Sequence, residues 1–138
     1  MSPNPVADQV WRSMSSLVLD NKDGWRRAVV DRTGLPFSRI RILRRLASQP
    51  MTVKEVAEAA TIDAPAATVA VNDLEARGLV DRQPHPDNRR CKLVSLTEAG
   101  RDVIAVLDDT DDPAPAALAA LDEQDLAALR RILARLIS

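Results

Sequence analysis

The sequence predicts a mainly α-helical chain with one small β-hairpin, in which a helix-turn-helix stands directly ahead of the hairpin. Three observations carry this. Hydrophobic residues make up 46% of the chain and aromatics 2%, so the core is built from Leu, Val, Ile and Ala, which suits helices packing on helices. Between Thr52 and Gly78 the helix start and stop signals are unusually explicit. From Leu79 to Leu96 a strand-like pattern is interrupted by "PHPDNRR", the composition of a turn.

The elements follow in order. Val6, Val10, Met14, Leu17 and Val18 recur at helical spacing from a start near Asn4 or Pro5. "DNKDG" weakens that helix near Gly24, and "WRRAVVDRTG" resumes it as far as Gly34. In "PFSRIRILRRLA", Phe37, Ile40, Leu43 and Leu46 form one stripe, with Arg39, Arg41, Arg44 and Arg45 around the rest. Thr52 and Glu55 have the spacing of a capping box, and Met51 with Val56 that of a hydrophobic staple. The short helix they open stops near Thr61. Asp63 caps a longer one that tolerates Pro65 in its first turn and ends at Gly78.

Leu79–Gln83 and Cys91–Leu96 read as two strands. Thr97 then caps a helix carrying Val103, Ile104, Val106 and Leu107. "DDTDDPAPA" breaks the helical run. A last helix repeats Leu126, Leu129, Leu133 and Leu136.

The net charge of −1 conceals segregation: residues 24–92 hold 13 Lys+Arg against 8 Asp+Glu, and residues 101–138 hold 4 against 8. A basic middle suits an anionic partner. Catalysis finds no support, because the one histidine, His85, lies between prolines with no nucleophile beside it. His85 and Cys91 do not make a metal pattern, no glycine-rich phosphate loop exists, and neither metal nor cofactor is expected. No secretory signal or membrane-length apolar run is present, so a cytoplasmic location away from membranes is expected.

A helix-turn-helix followed by a hairpin has the geometry to enter adjacent grooves of duplex DNA. Arg89 and Arg90 at the hairpin tip fit the negative potential of a narrow minor groove, with Asp87 placed to orient the Arg89 guanidinium.

At these residues the chain resembles the multiple-antibiotic-resistance-regulator (MarR) family. The resemblance rests on Leu74, Glu75, Gly78, Leu79 and Val80, then Asp87 and Arg89, then Leu96, Thr97 and Gly100. It covers roughly Leu35 to Leu107. It implies a winged helix-turn-helix over residues 35–100, flanked by a dimerisation helix region (1–34) and C-terminal dimerisation helices (101–138). The resemblance further implies a homodimeric transcription regulator, usually a repressor, on a pseudo-palindromic operator. Val6, Val10, Met14, Leu126, Leu129, Leu133 and Leu136 are the expected dimer contacts.

One departure stands out. The family commonly has a basic or polar residue where Val69 stands and Ser or Thr near Pro65, whereas this recognition helix has no positive charge. Thr68 and Asn72 remain as polar base contacts, and Ala66 and Val69 as contacts to thymine methyl groups. Affinity is then expected to lean on the wing, on Arg39, and on helix N-terminal amides such as that of Thr52. The family also implies a small aromatic or phenolic effector, with Trp11, Trp25, Phe37 and Arg41 as lining residues. Two other readings remain: a thiol sensor through Cys91, whose neighbours Arg90 and Lys92 favour a thiolate, and a winged-helix module for protein partners without DNA binding.

Overall fold

Five helix starts in this chain lie where a side-chain cap puts them, at Asn4, Thr52, Asp63, Thr97 and Asp122. The computed structural model describes residues 2–137. Its elements are α1 (Pro5–Asn21), α2 (Asp23–Thr33), α3 (Phe37–Leu46), α4 (Val53–Ala60), α5 (Ala64–Ala76), β1 (Val80–Pro84), β2 (Lys92–Leu96), α6 (Glu98–Asp109), α7 (Ala116–Ala119) and α8 (Glu123–Ile137). They form two compact units, one made by the chain up to Asn21 and from Asp112 onward, the other by Lys22–Asp111.

In the second unit the Thr52 hydroxyl accepts the Glu55 N–H at 3.2 Å, and the Glu55 carboxylate accepts the Thr52 N–H at 3.0 Å. This reciprocal box starts α4. Thr61 closes it in the left-handed region at φ 56, a conformation uncommon for a residue with a Cβ. Two residues later Asp63 accepts the Ala66 N–H at 2.8 Å and starts α5. The turn between the helices is therefore bounded by hydrogen bonds on both sides.

The core sits where α3, α4, α5 and the hairpin meet. Ile40, Leu43, Val56, Val71, Leu74, Val80 and Val94 are fully or almost fully buried there, with Val29 of α2. β1 and β2 pair antiparallel from Val80↔Leu96 to Pro84↔Lys92. Pro84, which has no N–H to give, stands at the end of an edge strand, where that is tolerated. Met51 adds a single bridge to the other side of β2, exchanging both backbone bonds with Val94 at 3.0 and 2.7 Å. The start of α4 is thereby tied to the hairpin.

Two close packings fix the end of α5. Gly78, at φ 75, and Leu79 return their N–H groups to the carbonyls of Glu75 and Leu74, a glycine-terminated helix end. Thr97 then donates its hydroxyl to the Gly78 carbonyl at 2.6 Å and its N–H to the Leu79 carbonyl at 3.1 Å. Its hydroxyl also accepts the Gly100 N–H at 3.1 Å, capping α6.

In the first unit, α1, α7 and α8 bury none of their residues. Val6 is 67% exposed, Leu136 67% and Ile137 78%, so apolar stripes lie open on both long helices.

Three sequence expectations need adjustment. The break after the first helix falls at Lys22, one residue ahead of α2, and Gly24 is helical. α2, grouped with the N-terminal region by sequence, belongs to the second unit, because Val29 is fully buried in its core. The strands run Val80–Pro84 and Lys92–Leu96, which leaves Cys91 in the hairpin tip instead of in a strand. The strand-like composition at Leu79 and Cys91 runs one residue past the pairing, and the backbone bonds set both limits.

A Cβ added to Gly100 stands 2.2 Å from the Leu79 carbonyl oxygen, nearer than any real contact. Gly100→Ala is expected to destabilise the fold by about 2 kcal/mol or more through forced backbone displacement. Urea unfolding followed by circular dichroism checks this, with Ala99→Gly as the control for helix propensity.

Candidate nucleic-acid interface

The two faces of α5 differ sharply. Ala67, Ala70, Val71 and Leu74 are buried against the core, while Pro65, Ala66, Thr68, Val69 and Asn72 are exposed. Small residues on the inner face let α5 lie close to its neighbours, and the exposed face carries no positive charge. Val69 is 61% exposed. The Thr68 hydroxyl donates back to the Ala64 carbonyl at 3.1 Å, so its lone pairs are what it offers outward.

Positive charge arrives from other elements. Arg82 of β1 donates from Nη2 to the Asn72 side-chain oxygen. Its Nε lies 3.5 Å from a Glu75 carboxylate oxygen, yet that N–H is buried and aimed at no acceptor. The contact is a charge pairing without an aligned hydrogen bond. Sequence reasoning passed over Arg82, although the signal was present: strand alternation puts Val80 and Arg82 on one face, and Val80 is buried toward the core.

Arg39 of α3 has a different place from the one expected. Its Nε donates to an Asp73 carboxylate oxygen at 3.0 Å, and Arg77 holds the same carboxylate at 3.2 Å. Arg39 is 22% exposed and acts as a strut between α3 and α5. The Arg39 hydrogen bond, followed by that of Arg77, holds the Asp73 carboxyl below its ordinary range. Thr52 likewise has its N–H committed to Glu55. An anion at the start of α4 therefore meets a carboxylate where the sequence suggested a free amide. The Glu55 carboxyl is itself lowered, first by the Thr52 backbone bond.

The hairpin tip is shaped by its own polar atoms. The Asp87 N–H donates to His85 Nδ1 at 3.0 Å, and the Arg90 N–H donates to the Asn88 side-chain oxygen at 3.1 Å. Cys91 and Asn88 close the turn through a backbone bond of 3.0 Å. Arg89 and Arg90 are exposed and, among the described residues, take part in no ion pair. The expected Asp87–Arg89 contact is not formed, since the turn presents Asp87 through its backbone to His85. Cys91 is half-buried, with the Asn88 amide 3.5 Å from its sulfur.

The expected effector residues divide between the units. Trp11 lies in the first, 67% exposed beside Val10 and Met14. In the second, Trp25 and Phe37 meet edge to face at 6.1 Å, with Lys22 and Arg44 over the Trp25 ring at 4.9 and 5.6 Å and Arg26 over Phe37 at 4.9 Å. Arg41 is turned to an adjoining groove, where it lies with Arg44, Arg45 and Asp108. Among the described residues no group of His, Cys, Asp or Glu is placed to hold a metal ion, and no helix is long and apolar enough to cross a membrane.

Known proteins share this arrangement. Over 73 residues the chain is 33% identical to the uncharacterized HTH-type transcriptional regulator YdgJ of Bacillus subtilis (strain 168), a match covering 52% of this chain and 44% of that protein. The matched stretch is thus less than half of that relative's length. A mutant MarR from E. coli superposes with a TM-score of 0.73 at 19% identity, over 100% of both chains. A mutant MarR from E. coli complexed with operator DNA gives 0.64 at 20% identity, over 91% of this chain and 92% of that one. NadR in complex with 4-hydroxyphenylacetate gives 0.62 at 22%, over 99% and 95%. At these identities the structures speak for the fold. Paired helices around a capped turn, followed by a two-stranded hairpin, define a winged helix-turn-helix protein. Residues 33–90 match the MarR family, and the curated relative that the chain resembles is an HTH-type transcriptional regulator.

The Asp73 fork has a pH consequence. A carboxyl held below its ordinary value of 3.8 stabilises the fold fully above that value, and the contribution is lost as pH falls through the lowered pKa. Thermal melts between pH 6 and pH 2 are expected to show a fall in Tm in the acid range that Asp73→Asn reduces. An equal fall in the variant would mean that the fork contributes nothing.

Proposed function

We propose that this chain is a homodimeric repressor that binds a pseudo-palindromic operator in double-stranded DNA. The carrying observation is the pairing, within one rigidly tied unit, of an exposed α5 face with an exposed, unpaired Arg89–Arg90 tip. In this reading α5 lies in the major groove, where Thr68 and Asn72 face base edges and Ala66 and Val69 meet thymine methyl groups. Arg89 enters the adjacent minor groove, while Arg90 meets phosphate. The operator complex of the E. coli MarR relative supports it. Arg39 serves indirectly, by fixing α5 through Asp73.

A second copy of the chain is the proposed cover for the first unit. Two amphipathic helices with no buried residue cannot be stable on propensity alone. Val6, Val10, Met14, Leu126, Leu129, Leu133 and Leu136 are the contacts to a partner. Two recognition helices related by a two-fold axis then require half-sites about one DNA turn apart.

Release by a small aromatic anion is the proposed regulation, supported by the relative that binds 4-hydroxyphenylacetate. Trp25 and Phe37 line its site on the second unit, where cations crowd the two rings, with Arg41 in the adjoining groove. A protein-partner role has one observation in its favour, the uncharged exposed α5 face around Val69.

The readings separate by titration onto duplexes selected from a random pool, at two salt concentrations. A regulator selects a sequence, and its affinity falls with salt because phosphate contacts release counterions. Arg89→Ala is expected to weaken the selected site about tenfold or more, and Arg90→Ala to lower the salt slope by about one. Selection of no sequence, with salt-independent binding, would leave the protein-partner role.

A further inference from the structure

We propose that Arg82 sets the polarity with which Asn72 reads a base, and so directs this position toward guanine. The inference rests on the DNA-binding reading of α5. A guanidinium carries N–H donors and no acceptor. The amide atom facing it must therefore be the Asn72 oxygen, and Arg82 Nη2 donates to that oxygen. The Asn72 NH2 makes no hydrogen bond among the described residues, so it is the half of the amide left for a ligand.

Arg82 is itself held. Its Nε is buried and lies 3.5 Å from the Glu75 carboxylate, one turn along α5 from Asn72, and its side chain is 23% exposed. The cation cannot swing away without leaving Glu75 and exposing strand-face surface. It thus holds the amide in one of its two orientations.

The chemistry of the base edges turns that orientation into a preference. A freely rotating asparagine pairs with adenine in two bonds, donating to N7 and accepting from N6. Here the accepting atom already receives a proton from a cation, and the adenine N6 amino group approaches it against that charge. Guanine shows two acceptors, O6 and N7, in the same place. An NH2 beside a cation meets them favourably. Arg82 is thus a positioning residue that acts through Asn72, and it leaves the Asn72 NH2 as the outward donor on a helix that carries no positive charge.

The test measures affinity for operator duplexes carrying each base at one position, that where Asn72→Ala abolishes discrimination. For the wild-type protein, guanine is expected over adenine by about fivefold or more. Arg82→Lys, which still only donates, keeps that order. Arg82→Gln, which can accept as well as donate, frees the amide and brings the ratio to about one or inverts it. Circular dichroism melts establish that each variant is folded. Should the Gln variant not fold, Asn72→Asp on the exposed face carries the test. Its carboxylate offers no donor, and preference is expected to move to cytosine, whose edge donates.

An adenine preference in the wild type overturns the inference. So does the same ratio in the Gln and Lys variants, or a retained guanine preference in Asn72→Asp. In those cases sequence-selective binding itself survives. A wild-type protein that selects no sequence fails at the earlier step, and the inference falls with it.

Discussion

The carbonyl groups of Gly78 and Leu79 receive the hydroxyl and the N–H of Thr97 at 2.6 and 3.1 Å, and the placement of every other part of the winged unit depends on this meeting. It joins the end of α5 to the start of α6, with the hairpin held between them. Gly78 takes a left-handed conformation so that α5 can stop there. Gly100 has no side chain because the Leu79 carbonyl occupies the space where a Cβ would stand. The Met51–Val94 bridge adds the start of α4 to the same frame. The proposed entry of α5 and the hairpin into adjacent grooves needs a fixed separation, and this junction supplies it without any large side chain.

Electrostatics in the unit are arranged around a helix that carries no positive charge of its own. Carboxylates on α5 draw arginines from neighbouring elements: Asp73 holds Arg39 and Arg77, and Glu75 lies beside Arg82. Exposed pairs of this kind contribute little to stability individually, but a shared carboxylate fixes the rotation of α5 relative to α3. Among the described residues the guanidinium groups of Arg89 and Arg90 take part in no ion pair, and that difference separates the arginines that brace the fold from those at the wing tip.

The fold was legible in the residues because local chemistry and tertiary packing agree. Thr52 with Glu55, Asp63 and Thr97 each mark a helix start within a residue of where it lies, and Gly78 marks the end of α5 within two. What sequence spacing could not resolve was pairing across distance. Arg39 reads as a free cation until α3 is packed on α5 and Asp73 comes within reach. Thr52 reads as an available amide until Glu55 turns back on it. Asp87 and Arg89, two residues apart, suggest a pair, yet the hairpin turn separates their side chains. Arg82 looked like an ordinary strand residue, and only the side of β1 that faces α5 reveals its contact with Asn72. Lys22 and Gly24 show the limit of composition: the break falls at Lys22, whose own backbone stays in the right-handed helical region, and glycine does not mark it.

The first unit supplies the remaining logic, because α1 and α8 bury none of their residues, and the proposed two-fold partner would cover them. The most direct measurement of the whole account is a hydroxyl-radical footprint on the DNA flanking the protein's own coding region. The account requires two protected patches related by a two-fold axis, about one helical turn (~34 Å) apart, each extending into a flanking minor groove. Protection confined to a single patch, or none at protein concentrations that saturate the duplex, would contradict it.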